Sequence, residues 1–388
     1  MRCLVCQSAD LDVFFDAGVQ PVFANVLYDT REEALAAPKG RIRLGGCPVC
    51  GFVHNVDFDP GLVAYAPGYE NSLHGSPTFN AFAEDLASGL VQRHGLRGAR
   101  AVEIGGGRAE FMGLLMDAGL AEGLVMDPSS PDDSLVDSDN LRIERRLFEK
   151  RDASLGEHPT RLLLSRHVLE HVEAPRDFVG LIADAAREVG AGMYLEVPNG
   201  LWTLRDLGVW DVIYEHCSYF TPGALRALMA QAGAKTQPQE AYGGQFLCAE
   251  APSVGSQAAF DPEEHSAASD ESALRTHFGE TFAGIQTRWQ EHLSKAAAQG
   301  RRTAIWGAGS KGTTFLNNLS EGNVILYAVD VNARKLGRFI PGTGHEIVAP
   351  DALGDAQLDE IVVMNPIYRD EIASMAKAVG SSAEVTVV

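Results

Sequence analysis

The feature that most limits how this chain can fold is a pair of glycine loops, each lying between an apolar strand pattern and a helix pattern. The first sits in "RAVEIGGGRAEFMGLLMDAGL", residues 100–120, and the second in "RRTAIWGAGSKGTTFLNNL", residues 301–319. Each reads as strand, glycine turn and helix, and the helix after the first loop sets Phe111, Leu114 and Leu115 on one face. A unit of this kind carries the chain back through a helix, so its sheet consists of parallel strands covered by helices. The residues between the loops continue the alternation. "TRLLLSRHVLEHV" runs from a strand into a short helix, "AGMYLEVPNG" is another strand, and Thr221 caps a helix that has Pro222 at its first position. At 388 residues the chain has room for two or three domains, each with its own core.

Ahead of the first loop stand two Cys-x-x-Cys pairs, Cys3 with Cys6 and Cys47 with Cys50. Four thiolates so arranged suit tetrahedral zinc, with redox pairing as the other reading. Sulfur in all four positions leaves none for a substrate, so such a metal is structural, and residues 7 to 46 loop out between the knuckles. Cys217 and Cys248 stand alone and read as small core residues. A formal charge of -20, with no clustered Lys and Arg, argues against a nucleic-acid partner. Anionic metabolites need only local positive charge. No apolar run approaches the roughly 20 residues of a membrane span, and "MRCLVCQSAD" lacks the order of a signal peptide, so a cytoplasmic protein is expected.

The two loops differ in what they suit. A dinucleotide fingerprint wants a third glycine at position 110, where this chain has Glu110. What remains, Glu103-x-Gly105-x-Gly107, resembles the first motif of class I S-adenosylmethionine methyltransferases. A second strand, "EGLVMD", ends in Asp127 about 20 residues on, where a carboxylate can hold the adenosyl ribose hydroxyls. The other loop, Gly307-x-Gly309-x-x-Gly312, fits the dinucleotide pattern better, with Asp330 closing the next strand. Too few residues follow it for the two mononucleotide halves of a dinucleotide fold, so a nucleotide diphosphate group is the more natural ligand, with Lys311 near its phosphates. An unused loop retained with its fold is the other reading. "HVLEH" also spells an inverted zinc-protease motif, but Pro175 cuts its helix short and no further ligand is evident.

The Cys-x-x-Cys pairs, "YENSLHGSPTF", the Glu-x-Gly-x-Gly loop, "HVLEHV" and "YEHCSYF" together resemble the nucleotide-sugar C-methyltransferases, whose relatives methylate carbon 3 of a TDP-linked 4-keto sugar. The resemblance implies an α/β architecture: a class I methyltransferase Rossmann-like parallel sheet, flanked by a small N-terminal zinc-binding domain and a second, C-terminal Rossmann-like domain. Its expected bounds are 1–75 for the zinc-binding domain and 76–251 for the methyltransferase domain, then a linker over 252–275, with the connecting helix and nucleotide-binding domain over 276–388. Its implied cofactors are S-adenosylmethionine and structural zinc, and its substrate is a nucleotide diphosphate sugar. It makes His216 the general base, with Glu215 beside it, His171 a second active-site histidine, and Tyr69 a substrate-side tyrosine. The family reads Tyr-x-Glu-His, whereas here Ile213 holds the tyrosine position and Tyr214 directly precedes Glu215.

The chemistry explains such a set. Carbon becomes nucleophilic only after losing a proton, and imidazole titrates in the right range to remove one beside a ketone. Glu215 is expected to orient the His216 ring or hold a sugar hydroxyl, and His171 or Tyr214 to hydrogen-bond the enolate oxygen. Neighbouring residues on a strand face opposite ways, so Glu215 and His216 share a site only if residues 213 to 217 form a loop. Two alternatives remain: methyl transfer to oxygen, nitrogen or another small metabolite's carbon, and an NAD-dependent sugar oxidoreductase working through the second glycine loop.

Overall fold

A computed structural model describes residues 1–63, 72–131, 139–261, 270–319 and 324–388. Near the N-terminus, β1 (Asp12–Pro21), β2 (Lys39–Gly46) and β3 (Val53–Asn55) form an antiparallel meander. The central sheet takes β4 (Arg100–Ile104), β5 (Glu122–Met126), β6 (Leu141–Glu144), β7 (Thr160–Arg166) and β8 (Gly192–Pro198), all parallel. The short β9 (Ser218–Tyr219) leaves that sheet and pairs with β3, joining the N-terminal sheet to the methyltransferase unit. A hairpin of β10 (Gln239–Ala241) and β11 (Phe246–Ala251) completes the central sheet, β11 running antiparallel to β8. The resulting order, β6-β5-β4-β7-β8-β11-β10, is that of a class I methyltransferase. Its strand order reverses between β4 and β7, which opens a crevice beyond their carboxyl ends.

The C-terminal sheet is parallel throughout: β12 (Thr303–Trp306), β13 (Ile325–Val329), β14 (Ile347–Val348), β15 (Glu360–Val363) and β16 (Glu384–Val387), in the order β14-β13-β12-β15-β16. Its reversal falls between β12 and β15, so the second glycine loop and the segment after Val363 face one crevice. The helix Asp270–Ala298 leads into this domain and starts six residues inside the stretch expected to be linker. Leu274, Phe278, Phe282 and Ile285 recur at helical spacing there and pack with Phe15 and Tyr214, which outweighs the polar composition.

The borders between domains are apolar. One core joins Cys3, Cys6, Cys47 and Cys50 to Val102, Leu163, Ala224 and Leu228 of the methyltransferase unit. Another joins Phe15, Ile42 and Leu44 to Trp210, Phe315 and Ile340.

His54 on β3 lies at the first of these borders, buried with Nδ1 3.3 Å from Ser218 Oγ on β9. Burial pushes its pKa down to about 4. An unfolded histidine takes a proton near pH 6.5 and the folded one only near 4, so the neutral ring contributes its full stability above pH 6.5. That contribution shrinks as pH falls toward 4. Going from pH 7.5 to 5 should therefore cost about 2 kcal/mol through this residue. Urea midpoints at the two pH values test it: the drop should be smaller in His54→Gln, and equal drops in both proteins would remove His54 as the cause.

Candidate active site

The first glycine loop is shaped for close approach by a ligand. Gly105 and Gly107 have φ of +79° and +53°, and a Cβ at Gly105 would strike the Val168 side chain. Beneath the loop, Glu103 is buried, its Oε2 lacks a hydrogen-bond partner, and burial pushes its pKa up to about 7. Asp127 stands at the end of β5 as expected. Its Oδ2 accepts from Gly107 N at 2.8 Å, while Oδ1 accepts from Ser129 N and Ser129 Oγ. Ser130 Oγ donates to Gly107 O at 2.6 Å, so the loops after β4 and β5 are tied together. The orphaned Glu103 oxygen and the open glycine surface fit an adenosyl cofactor with a positively charged amino-acid end. Asp127→Ala should weaken adenosylhomocysteine binding by about tenfold to a hundredfold, the range for lost hydrogen bonds to a charged group. Calorimetric titration measures it; unchanged affinity would remove Asp127 from the cofactor set.

Beyond the carboxyl end of β7, "RHVLEH" makes a sharp turn. His167 adopts φ of +54°, and a short 3-10 turn, Leu169–His171, follows. His171 Nδ1 lies 2.9 Å from the carbonyl oxygen of Glu215. Because a carbonyl only accepts, Nδ1 of His171 carries a proton and donates it to this bond. The rings of His171 and His216 meet edge to face with centroids 4.8 Å apart. Burial, and then the neighbouring His171, push the His216 pKa down to about 3, which leaves a neutral, proton-accepting ring. Both rings remain partly open to the crevice.

Residues 212–217 lie between regular elements, with a turn at Tyr214–Glu215, so the strand rule does not separate Glu215 from His216. The Glu215 carboxylate accepts from Ala24 N at 2.9 Å, which makes it an anchor for the N-terminal domain. Ala24 O accepts from Thr313 Oγ1 of the C-terminal domain at 3.0 Å. Tyr214 is buried. Its hydroxyl accepts from Asp59 N at 2.8 Å and donates to Asp59 O at 3.3 Å, which commits it away from the crevice. Tyr69 lies outside the described residues.

The second glycine loop keeps its fold but is partly filled. Gly312 packs so closely on Gly307 O that a Cβ there would overlap the carbonyl. Asp330 accepts from Ala308 N at 3.0 Å and pairs with the buried Lys335 at 3.2 Å. The carboxylate that a dinucleotide site would turn toward a ribose is thus engaged by its own domain. Beside Gly309, the ion pair of Lys311 with Asp211 crosses from this loop to the methyltransferase unit, with Nζ 5.2 Å from the Trp202 ring. Asp211 lies on the segment that leads to His216, so this ion pair holds the loop against that segment.

Sequence reasoning did not identify Glu170, His167 or Glu196 as site residues. Buried Glu196 pairs with Arg166 at 2.8 Å and with His167 at 3.0 Å. His167 Nδ1 is 3.6 Å from Glu170 Oε1. Burial opposes charge on His167, but Glu170 and Glu196 outweigh it and hold its pKa at about 9. The "HVLEH" spacing carried this signal, although it resembled a protease metal motif.

The four cysteines of the two knuckles converge. Cys3 Sγ is 3.6 Å from Cys50 Sγ and Cys6 Sγ 3.6 Å from Cys47 Sγ, with all four sulfurs buried within 4.8 Å of one another. Zinc–sulfur bonds of about 2.3 Å imply sulfur–sulfur edges of about 3.8 Å, so the spacing fits a tetrathiolate metal.

Comparison with known proteins agrees with this geometry. Residues 79–239 match the family model for a methyltransferase domain, and residues 247–387 match that for a C-methyltransferase C-terminal domain. A curated relative, the C-methyltransferase NovU of Streptomyces niveus, is 23% identical over 227 residues, covering 56% of this chain. The match takes in 54% of the relative, so the chain spans about half the length of the curated relative it matches. Among solved structures, magnesium protoporphyrin IX methyltransferase of Synechocystis PCC 6803 with bound SAH gives a TM-score of 0.35 at 17% identity, covering 50% of this chain and 91% of that one. The 1,6-didemethyltoxoflavin-N1-methyltransferase of Burkholderia thailandensis gives 0.35 at 17% identity, over 47% and 83%. Among the described residues no helix is long and apolar enough to cross a membrane. Two adjoining family matches, one over the central sheet and one over the C-terminal sheet, show a chain that carries an S-adenosylmethionine-dependent methyltransferase domain followed by a C-methyltransferase C-terminal domain.

Proposed function

We propose that the protein is a C-methyltransferase acting on a nucleotide-activated keto sugar, with His216 as the base. The observation that carries this reading is the His171–His216 pair, standing in the crevice served by the cofactor loop, with His216 held neutral. The His216 lone pair takes the proton from the carbon beside the ketone. The electrons of that C–H bond form the carbon–carbon double bond of an enolate, and the carbonyl pair moves onto oxygen. His171, in its protonated form, donates from Nε2 to that oxygen while Glu215 O holds Nδ1. Glu103, Gly105, Gly107 and Asp127 would hold S-adenosylmethionine, which would supply an electrophilic methyl group to the enolate carbon and leave as adenosylhomocysteine, its sulfur keeping the electron pair of the broken methyl–sulfur bond. Positioning accounts for most of the rate.

Gly307, Gly309 and Lys311 are assigned to the nucleotide diphosphate side of the substrate, a reading supported by the ion pair that holds Lys311 to Asp211 on the segment leading to His216. Tyr69 keeps its assignment to the sugar side. Tyr214 is assigned to packing, because its hydroxyl is committed to Asp59. Cys3, Cys6, Cys47 and Cys50 hold structural zinc, and a cytoplasmic location keeps those thiols reduced. The test is incubation with TDP-, UDP- and GDP-linked 4-keto sugars in deuterated water without cofactor, then with it. Deuterium entering beside the ketone, followed by a new carbon-bound methyl group at that carbon, is the expected result. Methylation at oxygen or nitrogen with no exchange overturns the reading.

A further inference from the structure

Glu170 is a buried carboxylate placed where the base needs one. It lies on the 3-10 turn Leu169–His171, 1% exposed, and its Oε2 has no hydrogen-bond partner. One carboxylate oxygen lies within 4.8 Å of a ring nitrogen on each of His171 and His216. The carboxyl group also meets His167 through Oε1, and His167 is held in turn by Glu196, which pairs with Arg166. Charges therefore alternate along a buried line from Arg166 through Glu196 and His167 to Glu170, ending at the two active-site rings. Cys217 Sγ, 3.5 Å from Glu170 O, ties this turn to the segment that carries His216.

An unpaired, charged oxygen is costly to bury unless something later compensates it. The two imidazoles are the groups within reach that can gain positive charge. We infer that Glu170 is a positioning residue for proton removal, its fixed negative charge stabilising the proton that the His171–His216 pair gains when the sugar carbon is deprotonated. The part resembles that of the carboxylate behind a catalytic histidine, except that the charge acts on a pair of rings. This inference rests on the proposed role of His216. It differs from the expectation drawn from adjacency, in which Glu215 served the ring, because the Glu215 carboxylate holds Ala24 N.

The experiment compares Glu170→Gln with His216→Asn on a TDP-linked 4-keto sugar. It reads kcat, KM, cofactor-free deuterium exchange and the thermal shift given by adenosylhomocysteine. Glu170→Gln should lower kcat by about tenfold to a hundredfold and slow deuterium exchange by the same factor, with KM and the thermal shift within about twofold of the parent. Wild-type kcat in Glu170→Gln beside an inactive His216→Asn overturns the role of Glu170 and leaves the base in place. Wild-type turnover in His216→Asn removes the base assignment and this inference with it. A Glu170→Gln protein that loses turnover and the thermal shift together, with exchange unchanged per folded molecule, makes the residue a packing element and overturns the inference. If the amide does not fold, Glu170→Asp keeps the charge one carbon further back: a partial, matched loss of exchange and transfer supports the role, and full rates overturn it. Turnover lost on dialysis against EDTA and restored by cobalt, with the zinc of the four cysteines still present by elemental analysis, would make these three groups metal ligands and overturn the inference.

Discussion

Replacing His216 by Asn should lower kcat by about 10²- to 10⁴-fold, the range for removing a positioned acid–base group. Adenosylhomocysteine should still bind. Asn keeps a polar side chain of similar size but no ring nitrogen to take the proton, and the cofactor loop lies on different elements, after β4 and β5. The low pKa of His216 gives the pH dependence a sign. A ring that resists protonation down to about 3 stays unprotonated throughout the neutral and mildly acidic range, while the same burial lowers its proton affinity. An acid limb in the rate near pH 6.5 would therefore come from a group other than this free-enzyme ring. Steady-state rates from pH 5 to 9, with calorimetry on the variant, check both statements; turnover within about twofold of the parent would remove His216 from the chemistry.

The second large effect concerns the four cysteines. Cys47→Ser should empty the metal site and lower the thermal midpoint by at least about 10 °C, because metal binding free energy at such a site is folding free energy. The effect should spread beyond the N-terminal knuckles, since the sulfurs pack in one core with Leu163, Ala224 and Leu228. Elemental analysis should find about one zinc per parent chain and almost none in the variant. A parent chain without zinc, whose cysteines titrate as two disulfides, would support redox pairing instead.

How much of this was legible in the sequence depended on the range of the interaction. The glycine loops, the Cys-x-x-Cys pairs and the strand ends carrying Asp127 and Asp330 are local patterns, and each sits where its spacing implied. The helix Asp270–Ala298 was partly hidden because its first turns are polar by composition and become helical through packing against Phe15. Inside the site, two acids come from different places. Glu215 lies in a turn that brings its carboxylate to Ala24 N, while residue 170, on a different strand end, carries an acid close to both imidazoles that no local pattern pointed to. Lys311, expected near phosphates, forms an ion pair with Asp211, a partner 100 residues earlier that no local pattern connects to it.

Residue Ala24 has its main-chain N–H held by Glu215 of one domain, and its main-chain carbonyl takes the hydroxyl of Thr313 from another. A single link of main chain thus acts as a rivet through three plates. Cutting the chain between the two matched family regions would remove one of the plates and loosen the grip on the residue next to His216. Transplanting the C-terminal domain from a relative with a different sugar preference should therefore change turnover even where no transplanted side chain touches the sugar, unless position 313 keeps a hydroxyl.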